Sequence, residues 1–201
     1  MRLQELKVVY ICPDHDDKYR ARRAHMEALL TRTGFLPEKV EHFKSSTENY
    51  PDCLGKAVIE ILTKYMNEPV LILEDDVEFT GVEEFDMIQE ADAIYFGLSI
   101  AGGHATQNHA DGPCRHSPFS ESQVRVQNML GGHAILYMTP NYKQAVIASF
   151  EAHMGQRHHT DVLMSRLHPY FLILANKRPS FYQSARFNTG SEEYYTKITF
   201  T

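Results

Sequence analysis

Hydrophobic residues arrive along this chain in two rhythms. Some come as short unbroken runs: Lys7-Val8-Val9-Tyr10-Ile11, Val70-Leu71-Ile72-Leu73, Ala93-Ile94-Tyr95-Phe96-Gly97-Leu98, His133-Ala134-Ile135-Leu136-Tyr137-Met138, and Tyr170 to Ala175. A run without polar alternation predicts a strand buried on both faces, as in a parallel sheet. Between these runs, apolar residues recur every three or four positions. Met26, Leu29 and Leu30 do so within 18–30, and Tyr142, Val146 and Phe150 after Thr139-Pro140. Leu54, Val58, Ile61, Leu62 and Tyr65 form a third set, with Lys56, Glu60 and Lys64 opposite. These spacings predict amphipathic helices. Punctuation agrees with them. Pro13 stops the first strand, Asp14, Asp16 and Asp17 offer caps, Gly34 closes the first helix, and Pro140 suits a first helical position. A short strand over 40–43, a weaker helix over 82–91 and a short helix from Asp161 capped by Thr160 complete the pattern. Strands alternate with helices through the first two-thirds, so the chain predicts an α/β fold: one domain, with a mixed, mostly parallel sheet flanked by helices.

The stretch 101–123 breaks both rhythms. It is rich in Gly, His, Asn, Ser and Pro and has no apolar period. A segment of this length inside a domain reads as a flexible functional loop. Its His104, His109, Cys114 and His116 match no standard zinc spacing. The tail from 176 to 201 is polar and aromatic without a strong pattern.

With 201 residues, 43% of them hydrophobic, the chain can bury a sizeable core. Its net charge of -6, from 26 acids and 20 bases, argues against nucleic acid as the main partner. Three widely spaced cysteines, Cys12, Cys53 and Cys114, suggest no disulfide framework and point to a reducing compartment. The segment from Met1 to Lys7 is too charged for a signal-peptide core, and no apolar run approaches membrane-span length. A cytoplasmic protein is expected, one that can still work at a membrane surface through a partner or through its acceptor.

The strongest chemical signal is the run Val70-Leu71-Ile72-Leu73-Glu74-Asp75-Asp76-Val77. A buried strand that drives into three acids needs a cation to meet them. Oxygens converging there form a hard seat for Mn or Mg. Ligands of open α/β sheets lie just outside the carboxyl ends of the strands. The run therefore points to a metal-assisted site for a phosphorylated ligand, with a plain solvated acidic loop as the bland alternative.

The order of landmarks resembles glycosyltransferase family 25, the lipopolysaccharide- and collagen-type galactosyltransferases, which are similar to other GT-A enzymes. Four places carry the likeness. They are Val9-Tyr10-Ile11 followed by Arg20, Arg22 and Arg23; Cys53 opening the helix that feeds Glu74-Asp75-Asp76; Gly131-Gly132-His133 leading into Met138-Thr139-Pro140; and Thr160-Asp161 followed by Pro179, Gln183 and Ser191. The resemblance implies a single GT-A-like domain over 1–201, with a nucleotide-binding half at 1–100, a flexible loop at 101–123 and an acceptor-side half at 124–201. It implies a metal-dependent, inverting transfer from a nucleotide sugar, with UDP as the nucleotide. Asp76 would hold Mn (or Mg) with Glu74 as a second ligand, and Glu74 or Asp75 would reach the ribose or a metal-bound water. A late histidine, from His158, His159 and His168, would complete the metal set, with His159 chosen here. Arg20 and Arg23, three apart on one helix, would meet the diphosphate, with Arg22 as the other candidate. Gly131 and Gly132 would let backbone approach the ligand. Asp161 would take the proton of the acceptor hydroxyl, or else only cap a helix or orient the acceptor. Tyr182 and Phe187 are candidates for stacking.

Two other classes fit the acids: a metal-dependent phosphoester hydrolase, and a non-catalytic sugar-nucleotide-binding module. The acceptor is open at this stage, whether glycan, lipid-linked glycan, protein, small molecule or modified nucleobase.

Overall fold

Burial on both faces is what the unbroken apolar runs deliver. The computed structural model describes residues 1–187 and 199–200. In chain order the elements are β1 (Val8–Ile11), α1 (Asp17–Arg32), β2 (Val40–Phe43), α2 (Asp52–Lys64), β3 (Val70–Glu74), β4 (Val77–Phe79), β5 (Ala93–Tyr95), β6 (Ala101–Gly103), β7 (Ala110–Pro113), β8 (His116–Pro118), β9 (Gln123–Val126), β10 (Ala134–Tyr137), α3 (Pro140–Ala152), α4 (Thr160–Ser165), β11 (Ile173–Asn176) and β12 (Phe181–Gln183). Every residue of β1, β5, β10 and β11 is buried. β3 is buried up to its last residue, Glu74, which is half-buried.

Eight strands form the main sheet in the order β2-β1-β3-β10-β5-β11-β9-β8. β1 pairs in parallel with β2 and β3, and β5 with β11. β10 runs antiparallel between β3 and β5, and β9 antiparallel between β11 and β8. Only β10 and β9 therefore oppose the common direction, which is the mixed, mostly parallel sheet expected. Helices cover both faces. α2, α3 and α4 pack Ile61, Leu62, Val146, Phe150 and Leu163 against Val9, Ile72, Tyr95 and Ile135. α1 packs Met26, Leu29 and Leu30 on the other face, against Val8, Leu71, Ile94 and Leu136.

Local chemistry ends the helices. Asp16 caps α1 by accepting from the Tyr19 N–H, and Thr139 caps α3 through Tyr142. Gly34, at φ +83°, closes α1 while Phe35 N–H bonds the Leu30 carbonyl. The end of α2 is met by a buried lysine. Lys143, on α3, donates to the carbonyls of Tyr65 (2.6 Å) and Glu68 (2.5 Å).

Four expectations change. No helix forms over 82–91. Its backbone instead bonds the N-terminal segment, Leu3 N–H to the Glu83 carbonyl and Phe85 N–H to the Met1 carbonyl, while Phe85 packs edge-on to Phe96. The segment 101–123 is not structureless: β6 and β7 pair with each other, and β8 joins the main sheet. β6 is Ala-Gly-Gly, and a Cβ on Gly102 would stand 2.7 Å from the Pro113 carbonyl oxygen. Backbone contact, invisible to an apolar period, builds that hairpin. α4 starts at Thr160 rather than at Asp161, with His159 at the cap and no side-chain cap bond. The last strand of the sheet begins at Ile173, after a 3-10 turn at His168–Tyr170, and the tail adds β12, which pairs with β4.

Candidate functional site

The three acids lie where β3 leaves the sheet. Glu74 ends the strand, and Asp75 and Asp76 turn the chain into β4. β12 holds this turn from outside through its pairing with β4, and Ser184 N–H donates to the Asp76 carbonyl at 2.7 Å. A guanidinium holds it from inside. Arg22 of α1 donates through Nη1 to Asp75 Oδ1 at 2.6 Å, with both side chains about a tenth exposed. Its Nη2 donates to the Phe187 carbonyl at 2.7 Å, and its cation lies 5.3 Å from the Phe187 ring.

The electrostatics are unbalanced. Burial pushes the Asp75 carboxyl above its ordinary value even though Arg22 pulls it down. Glu74 is pushed well above the ordinary carboxylate range, first by burial and then by the charges of Asp76, Asp161 and Asp75. Arg22 opposes them. A cluster of this kind favours a proton or a bound cation.

The acids form one end of a cleft of about 300 Å³. Ile11, Pro13, Cys53 and Leu54 supply apolar lining, Tyr19 and Tyr50 supply aromatic rings, and Ser45, Ser46 and Thr47 supply hydroxyls beyond the end of β2. Desolvation and the charges of Glu74 and Asp161 push the Tyr50 phenol up to about 12.

The glycine pair closes the site on the β10 side. Gly131, at φ +96°, donates its N–H to Asp161 Oδ2 at 3.1 Å, and Val162 N–H donates to Oδ1 at 2.8 Å. A Cβ on Gly132 would stand 3.1 Å from Glu74 Oε1, so the missing side chain gives Glu74 its room. Of the residues expected from sequence, Glu74, Asp75 and Asp76 line the cleft, and Gly131, Gly132 and Asp161 adjoin it beside Glu74.

Other selections do not. Arg20 is at the surface, 57% exposed, paired with Asp17 at 2.6 Å. Arg23 pairs with Glu27 at 2.8 Å and faces Asp14 at 3.6 Å. The guanidinium of the cleft is Arg22. It stands four residues before Met26 and seven before Leu29, on the inward face of α1, and that spacing was the signal that singles it out. His159 is exposed: its ring sits 6.2 Å from Tyr50 and its N–H donates to Asn108. His158 packs beside His153, and His168 is fully buried, 3.0 Å from the Tyr95 hydroxyl. The metal trio of Asp76, Glu74 and His159 is therefore not assembled. Among the described residues, no three His, Cys, Asp or Glu side chains are arranged to hold a metal ion by themselves. Gln183 lines the cleft, and Phe187 packs on Arg22 and on His25. Ser191 lies outside the described residues. One buried neighbour, His133, was passed over in the sequence because it sits inside a strand-like run.

No protein-family model and no curated protein sequence matches the chain. Among solved structures, a UDP-glucose pyrophosphorylase complexed with UDP-glucose aligns with a TM-score of 0.52 at 12% identity, over 90% of this chain and 77% of that one. An apo UDP-glucose pyrophosphorylase aligns at 0.51 and 12%, over 92% and 79%. The CTP:phosphocholine cytidylyltransferase of Streptococcus pneumoniae reaches 0.46 at 9%, over 92% of this chain and 94% of that one. At these identities the first two show a shared fold, a single α/β domain of the same general architecture.

Proposed function

We propose that the cleft binds a nucleotide diphospho-sugar, with UDP as the nucleotide, and transfers the sugar to a hydroxyl acceptor with the help of a divalent cation. The observation that carries this reading is the set of four carboxyl groups, Glu74, Asp75, Asp76 and Asp161, gathered at the carboxyl end of β3 against one buried arginine. The UDP-glucose seen with a pyrophosphorylase of the same fold supports the choice of ligand.

The residues fit a divalent ion shared with the ligand. Mg-like ions are commonly held by one or two carboxylates plus substrate phosphates, so a protein-only trio is not required. Asp76 and Glu74 would hold it, and the bound ion would act as a Lewis acid that neutralises the departing diphosphate. Arg22 fixes Asp75 and keeps a positive charge beside the turn. Asp161 is steadied by two backbone N–H groups and takes the proton of the acceptor hydroxyl. The acceptor oxygen then bonds to the anomeric carbon, and the carbon–oxygen bond to the diphosphate breaks, its electron pair leaving on the phosphate oxygen. Acceptor attack on the face opposite the leaving group gives inversion.

Nucleotidyl transfer is the second reading, favoured by the fold neighbours named above. It must seat a triphosphate, which calls for a backbone N–H nest or added cations. The turn after β1 is instead Pro13-Asp14-His15-Asp16-Asp17, acidic and without glycine. Glycosyl transfer fits that turn better.

The test is calorimetric titration of UDP and a UDP-sugar panel, with and without Mn. Mn-dependent binding that disappears in Asp76→Ala supports the site. Release of UDP with an acceptor supports sugar transfer, and release of pyrophosphate from UTP and a sugar phosphate supports the second reading. Cleavage of a phosphoester without any acceptor points to the hydrolase, and tight binding without turnover to the binding module. No binding of any UDP compound in the presence of Mn overturns the proposal.

A further inference from the structure

His133 is 3% exposed, and neither of its ring nitrogens meets a hydrogen-bond partner among the described residues. Its seat is built around it. A Cβ on Gly97 would stand 1.9 Å from Nε2, so the ring lies directly on that glycine. A Cβ on Gly131 would stand 3.5 Å from Nδ1. Register places the ring beside the acids. Ala134 of β10 faces Leu73 of β3, and Glu74 N–H donates to the His133 carbonyl at 3.0 Å. The next pair sets His133 opposite Glu74, and directly opposed residues of antiparallel strands share a face. Asp76 is close enough for its charge to act on the imidazole.

A buried polar side chain without a partner lowers stability relative to an apolar one of similar volume. The fully buried His168 shows the ordinary solution, a hydrogen bond with the Tyr95 hydroxyl. His133 lacks one, and it lacks it next to the candidate cation seat.

We propose that His133 is a positioning residue of this site, whose ring N–H takes hold of the Asp76 carboxylate when ligand and cation are bound. The inference rests on the reading of the cleft as a nucleotide-sugar site. Partners that orient a metal-binding carboxylate typically change affinity by 10–100-fold when removed. The mechanism separates fold from function. The imidazole weakens the empty protein and strengthens the loaded one.

The experiment uses the full chain with His133→Leu, His133→Met and His133→Gln, and reads melting temperature and calorimetric UDP affinity in Mn. Expected for the two apolar variants is a melting temperature equal to wild type or raised by about 2–4 °C, with Mn-dependent UDP affinity reduced by about 10–100-fold. The glutamine variant, which keeps an N–H donor, should recover most of the affinity. Apolar variants that bind as tightly as wild type overturn the inference. So do apolar variants that melt lower or fail to fold, since the imidazole is then a structural member of the core. Failure of the wild type itself to bind UDP in Mn sinks the functional reading with it, and that arm tells the two failures apart.

Discussion

Glu74 concentrates the conflict between burial and charge on which the cleft depends. Its carboxyl titrates higher in the folded chain than its ordinary value of 4.5, because burial and three neighbouring acids disfavour the anion. The folded state therefore binds more protons than the unfolded one above that pH. The stability this contributes is complete below 4.5 and is lost as pH rises through the folded value. Glu74→Gln cannot ionise, so in metal-free buffer the variant should gain on wild type progressively from pH 4.5 towards neutrality. Urea midpoints measured across that range check this, and a difference that stays flat with pH contradicts it. At this scale the sequence was partly legible. Three consecutive acids after an apolar strand name their own position. Arg22 against Arg20 and Arg23 depended on which side of α1 turns inward, and the inward spacing to Met26 carried that information. His133 had no sequence signal of its own. What marks it is the pair of glycines that seat it, and a glycine's purpose shows only once the neighbour is in place.

Elements with buried side chains were the easiest to read, and elements held by backbone contact the hardest. β2 was expected at its observed bounds, and α1, α2 and α3 follow from their apolar spacing and end signals. The hairpin of β6 and β7 is made of small or exposed residues, so no period announces it. The stretch 82–91 has helical composition, but its backbone groups are claimed by the segment near Met1. Lys143 shows how an element boundary can be set from another helix. Its ammonium serves carbonyls just beyond the end of α2, where intrahelical donors have run out. Lys143→Met should remove the buried donor to the Tyr65 carbonyl and cost about 1–3 kcal/mol. Chemical denaturation reads the loss, and a variant as stable as wild type removes the lysine from this role. Because α2 also supplies Cys53 and Leu54 to the cleft, weaker UDP binding should accompany the lost stability.

Across the whole molecule, one sheet ties the cleft to both hydrophobic layers, so ligand binding and global stability should be linked. UDP with Mn at a hundredfold excess over its Kd should raise the unfolding free energy by about 2.7 kcal/mol, a shift of roughly 5–10 °C in Tm. The same additions to Asp76→Ala should leave Tm where it was, and an equal shift in that variant would place the ligand elsewhere. The contact between Arg22 and the Phe187 carbonyl also has a temporal side. It joins positions 165 residues apart, and β12 closes against β4 across a shorter span, Phe181 to Phe79 and Gln183 to Val77. Loops that long close after local helices and hairpins have formed. A nascent chain emerging from the ribosome can shape α1 and the strands around it early, but Arg22 must wait for Phe187 before its guanidinium is fully held. The acidic turn is thus among the last parts of the protein to set, and partly synthesised chains carry its carboxylates without the brace that orders them.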